Sequence, residues 1–150
     1  MFDTIYTTFQ SAISAVTSSY GVAFLNVEDS LDLKSSPASL FDGAYTILDN
    51  GSSGVDTDIN TLEHREEFSV KVQLVYTIST NDAKASYRKA LADTEIIIKK
   101  LVNPTTWNGV LDGVELDTRK PLEEVNATKH DTSVFRITEL LFNVKITTMM

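Results

Sequence analysis

EHREEFSVKVQLVYTIS, residues 63–79, decides the fold. Phe68, Val70, Val72, Leu74, Tyr76 and Ile78 hold every even position, while Glu67, Ser69, Lys71, Gln73 and Thr77 hold odd ones, with Val75 the exception. A period of two kept up over this length describes a strand with one face on a core and one face wet. At about 3.3 Å per residue the alternating stretch runs roughly 40 Å, well beyond a usual strand. Part of it is expected to project from the domain.

Downstream, Asn81 or Asp82 caps a helix expected from Ala83 to about Leu101, with Tyr87, Ala90, Leu91, Thr94, Ile97, Ile98 and Leu101 as its buried stripe. Asn103-Pro104 stops it. Short extended pieces are expected at Trp107–Leu111 and Gly113–Leu116, then a polar loop with Pro121 up to about residue 131. A second long strand runs from Ser133 to about Thr147. Phe135, Ile137 and Leu141 share one of its faces, and Val134, Leu140, Phe142, Val144 and Ile146 the other, so cover on both sides, or by a partner, is expected.

Upstream, Phe2, Ile5, Tyr6, Phe9, Ala12, Ile13 and Val16 recur at helical spacing, and Ser18-Ser19-Tyr20-Gly21 supplies a stop. A short strand is expected at residues 22–27, an irregular acidic stretch with Pro37 at 28–40, and a strand at Ala44–Leu48. Asp49-Asn50-Gly51-Ser52-Ser53-Gly54 then opens what reads as a long loop, about 49–62. The order α-β-β-β-α-β-β has too few helices for repeated βαβ units. It predicts one α+β domain over 1–150, an antiparallel or mixed sheet with two α-helices packed on one face.

The 150 residues carry 42% hydrophobic side chains, no cysteine, six glycines and three prolines. A chain of this size and apolar content can bury a substantial core, which argues against disorder. Without cysteine there is no disulfide scaffold, thiolate zinc site or cysteine nucleophile. The first residues have neither a basic region nor a continuous apolar run, so no secretory signal is expected, and no apolar stretch suits a membrane helix.

The net charge of −8 is unevenly distributed. Residues 1–64 hold nine acids against Lys34 alone, while residues 65–150 hold twelve of each sign. Lys84, Arg88, Lys89, Lys99 and Lys100 are interleaved with Asp82, Asp93 and Glu95, a solvated helix face rather than a nucleic-acid stripe.

Catalytic and metal signatures are weak. Asp56-x-Asp58-x-Asn60 with Glu67 at the twelfth position has an EF-hand's carboxylate spacing, but Thr61 stands where glycine must turn the loop. A polar loop rich in turn formers is the expectation there. His64 and His130 are the only histidines and lack ligand spacing, so both are expected as turn residues. Gly51-Ser52-Ser53-Gly54 is no nucleophile elbow, and no phosphate-binding glycine loop exists. No catalytic set, metal site or cofactor is expected.

The order and lengths of these elements, with the stretches at 63–79, 82–102 and 133–147, resemble the tail-terminator, or tail-completion, proteins of long-tailed bacteriophages. The resemblance spans nearly the whole chain. It implies a non-enzymatic virion protein, assembled in the host cytoplasm, that closes into a six-fold ring. Such a ring caps the tail tube, ends its polymerisation and offers a surface to the head-side connector in the neck. DNA would pass through without specific binding, and Asp56 and Asp58 in the acidic half would give a negative lumen or loop.

Other phage neck or head-completion proteins have overlapping patterns, and a small α+β ligand-binding or regulatory module is the competing class. Leu62, His64 and Arg65 are candidate interface residues, since a Leu exposed beside charges suits a partner contact. Trp107 and Val110 are a second candidate pair, with a rim position closing the core as the alternative for Trp107.

Overall fold

The computed structural model describes residues 2–18, 24–26, 43–78, 83–120, 123–126 and 134–149. The expected turn at 19–21, the acidic stretch 28–40, the caps Asn81 and Asp82, Pro121 and His130 lie outside them. The elements in chain order are α1 (Phe2–Ser14), β1 (Leu25–Asn26), β2 (Ala44–Asp58), β3 (Glu63–Ile78), α2 (Ala83–Val102), α3 (Pro104–Trp107), β4 (Gly113–Arg119), β5 (Glu123–Asn126) and β6 (Val134–Met149). The class is α+β, with two main helices and a mostly antiparallel sheet. The short helix α3 and the strand β5 are additions to the expected order.

Alternation in β3 works as the sequence predicts. Phe68, Val70, Val72, Leu74 and Tyr76 are buried, and so are Leu140, Phe142, Val144 and Ile146 of β6 beside them. All sixteen residues of β3 pair antiparallel with β6 in unbroken register, from Glu63↔Met149 to Ile78↔Val134. The sheet order is β1-β2-β3-β6-β4, with β5 also on β6. β4 and β5 follow each other along the same edge of β6, so part of the expected loop after Leu116 is strand.

Helix α1 lays Ile5, Phe9, Ala12 and Ile13 into the core, with Phe2, Tyr6 and Val16 half-buried around them. The whole expected stripe is therefore used, although the regular helix ends at Ser14. Phe9 meets Phe142 edge-on, with ring centroids 5.7 Å apart and planes at 83°. That geometry sets the positive ring edge against the negative face, adding about 0.5–1.5 kcal/mol to the burial.

Helix α2 differs from its expected stripe. Ala90, Thr94, Ile97 and Leu101 are buried, but Tyr87 is 40% exposed and Asp93 is fully buried. Packing against β3 turns position 93 inward, and the Tyr76 hydroxyl donates to Asp93 Oδ2 at 2.7 Å. A buried carboxylate survives only with such donors.

The expected extended piece at Trp107–Leu111 is instead the end of α3 and a turn. Asn103 caps α3 by accepting from the Thr105 N–H at 3.1 Å, and Pro104 fills the first helical position, where no donor is needed. α3 in turn closes α2: the Thr106 hydroxyl donates to the Lys100 carbonyl at 2.9 Å, and Trp107 Nε1 to the Leu101 carbonyl at 3.0 Å. Two carbonyls at the helix end, which lack intrahelical donors, are thereby satisfied.

The loop expected at 49–62 is the largest correction. Residues to Asp58 belong to β2, and only Ile59-Asn60-Thr61-Leu62 turns. β2 keeps its pairing with β3 through two register shifts, between Asp49 and Ser52 and between Gly54 and Asp56. Gly51 sits at φ 105, reachable at low cost only by glycine, and its N–H bonds Asp49 Oδ1 at 2.9 Å. The glycine and Asx chemistry that suggests a turn makes a β-bulge here.

On the second face of the sheet, Ala44, Thr46 and Val75 are fully buried. Ile137 and Leu141 lie half-buried there beside Lys71 and Gln73. Burial disfavours the Glu139 carboxylate, yet the Gln73 amide (2.9 Å), Lys120 (3.0 Å) and the charge of Lys71 outweigh it and hold the carboxyl below the usual glutamate range.

Two outcomes follow from these polar contacts. Tyr76→Phe takes a donor from a buried carboxylate and should cost about 1–3 kcal/mol in urea unfolding at an unchanged denaturant slope. Glu139 ionises more readily folded than unfolded, so its contribution is complete above the ordinary glutamate range and is lost as pH falls through the lower folded value. Urea midpoints measured down an acid series should therefore drop less steeply for Glu139→Gln than for the native chain.

Candidate functional site

Phe2 against Phe68, with centroids 6.2 Å apart, marks where the helical layer ends over β3. Beyond Phe68 towards Glu63 no residue of β3 is buried, although Ile146 opposite Glu66 still is, and β2, β3 and β6 continue as a three-stranded ribbon to Asp58, Glu63 and Met149. This is the projection that the length of the strand implied.

The turn that closes β2 onto β3 is held by Asp58. Its Oδ1 accepts the N–H of Asn60 at 2.9 Å and of Thr61 at 3.4 Å. Those backbone bonds, Asn60 first, lower the Asp58 carboxyl below its ordinary value. The turn ends on Leu62 at φ 58, in the left-handed region. A non-glycine residue there costs about 1–2 kcal/mol, and Gly or Asn is the usual solution. Leu62 is nevertheless 50% exposed, and Ile59 in the same turn is 79% exposed. Met149, at the end of β6 opposite Glu63, is 69% exposed.

Behind the tip the ribbon is polar and locked. His64 stands in β3, not in a turn, opposite Thr57. Its Nε2 lies 2.9 Å from Glu66 Oε1, and its Nδ1 lies 2.8 Å from the Thr57 hydroxyl. A carboxylate only accepts, so Nε2 carries the proton, and in the neutral ring Nδ1 takes the hydroxyl hydrogen. Arg65 reaches Glu63 at 3.2 Å on the exposed side. Asp56 pairs with Arg65 in the ladder.

The candidate residues thus fall into two groups. Leu62, His64, Arg65, Asp56 and Asp58 come together at the ribbon. Trp107 and Val110 belong to the helical layer: Trp107 is half-buried against the core, the rim role, while Val110 is 51% exposed. Ile59, the most exposed large apolar residue among those described, is absent from the expected set because an isoleucine inside a run of turn formers carries no periodic signal. A groove of about 410 Å³ between α1 and the α2–α3 corner was equally invisible; Thr7, Ser11, Lys100, Thr105 and Val110 are among its walls.

Among the described residues, no group of three or more His, Asp or Glu side chains could hold a metal ion, and no helix is long and apolar enough to cross a membrane. Neither protein-family models nor curated proteins give a match to this chain. What the ribbon offers is a contact surface, exposed Ile59 and Leu62 at its tip with the His64–Glu66 and Arg65–Glu63 pairs behind them.

Leu62→Gly relieves the left-handed strain and should stabilise the chain by about 0.5–1 kcal/mol, read as a higher thermal midpoint. A fall in the midpoint would show that Leu62 is held by packing within its own chain.

Proposed function

We propose that this chain is a structural virion subunit of the tail-terminator kind, closing into a six-fold ring on the end of a long-tailed phage's tail tube. The observation that carries the proposal is the ribbon past the helical layer, ending in exposed Ile59 and Leu62. A monomer gains nothing from a strained, solvent-facing Leu at the end of a rigid arm. A subunit that must reach its neighbour does. Head-to-tail contacts that close are how cyclic rings form, and they need a protrusion on one side of each copy.

In this reading the partners are other copies of the chain, the tail tube protein, and the head-side connector. The ring sits in the neck or tail of the virion. Its acidic half, with Asp56 and Asp58 on the ribbon, repels the phosphates of DNA passing through the lumen. No step of the proposed role requires bond making.

Light scattering after size exclusion across a concentration series, with negative-stain images, tests the assignment. The expected result is a closed six-fold ring, in solution or templated on tail tube ends. A stable dimer at every concentration, or a chain that neither oligomerises nor binds tube ends, would overturn it.

A further inference from the structure

We infer that the ribbon tip of one copy seats in the α1–α3 groove of the next, so that a single tip-and-groove contact, repeated, builds the assembly. The inference rests on the ring reading above and specifies its interface. A head-to-tail contact needs two different surfaces on one chain, and the structure presents two that match. The tip is small, apolar and convex: Ile59 and Leu62 are 79% and 50% exposed, with polar Asn60 and Thr61 between them. The groove is concave, about 410 Å³, and takes apolar contact from Ala12, Ala15 and Val110 and hydrogen bonding from Ser11 and Thr105.

Charge agrees with shape. Residues 56–67 of the ribbon hold Asp56, Asp58, Glu63, Glu66 and Glu67 against Arg65. Among the described residues, the groove is lined by one charged side chain, Lys100, and by no acid. The two surfaces also sit on different parts of the fold, the tip past the helical layer and the groove between its helices. Each copy therefore gives one and receives one. The strain at Leu62 has its return here: the turn that offers Leu62 to a neighbour is the one that leaves it in the left-handed region.

The natural chain has no cysteine, so engineered thiols report cleanly. Leu62→Cys and Ser11→Cys are made separately, and the two full-length proteins are mixed at assembling concentration and oxidised. The expected result is a disulfide-linked pair joining one Leu62→Cys chain to one Ser11→Cys chain, with little linkage in either variant alone. Lys100→Glu should raise the concentration needed for assembly by about tenfold or more, and adding Glu63→Lys should restore it, as like charges across an interface repel.

If the native chain forms rings but the mixed pair does not link and Leu62→Asp assembles normally, the inference is overturned while the ring stands. If the pair links only within a closed dimer, the contact is upheld and the ring falls. If Leu62→Cys links only to added tail tube protein, the groove is not its partner and the inference fails.

Discussion

Everything in this protein depends on the continuous ladder between β3 and β6. Sixteen residues of each strand face one another without a bulge. Together they form the centre of the sheet, and every other element is placed relative to them. β2 attaches to the outer side of β3, and β4 and β5 to the outer side of β6. The helices cover one face because that face is where Val70, Val72, Leu74, Leu140, Phe142 and Val144 converge. Each such side chain contributes about 1.5–3 kcal/mol when fully withdrawn from water. A one-residue slip of either strand would turn that whole set outward.

The regular centre is what allows the irregular edge. β2 carries two bulges, and still follows β3 to Asp58 because its partner does not deviate. Bulges and charged residues along an outer strand also make it a poor template for uncontrolled pairing. The ribbon is thereby rigid enough to hold its tip in one place and guarded along its length. Cross-strand bonds such as Thr57–His64, and His64–Glu66 along β3, tie the polar stretch between the core and the tip.

Much of this was legible in the amino-acid order. The α1 stripe from Phe2 to Val16 and the even positions of β3 declared their faces, because period alone decides burial for apolar residues. The limits of legibility are equally physical. Asp49-Asn50-Gly51 has the same local chemistry in a turn and in a bulge, and only the distant partner strand chooses between them. Asp93 reads as a solvent residue until Tyr76, seventeen positions away, supplies its donor. Trp107 closes α2 through its indole N–H, a contact that depends on a helix too short to carry a periodic signal. At the tip, Leu62 was readable as exposed, whereas its backbone angle and its companion Ile59 required the turn itself.

The position of β6 in the chain has a kinetic consequence. This strand is the last described in the sequence and yet lies in the middle of the sheet, bonding residues 134–149 to residues 63–78. Pairings so distant along the chain must close a large loop before they return any free energy, which slows folding. As the polypeptide leaves the ribosome, β2 and β3 emerge well before β6, and β3 waits with one edge open and its apolar face uncovered. The nascent chain is therefore most exposed to wrong partners before β6 emerges and inserts beside β3.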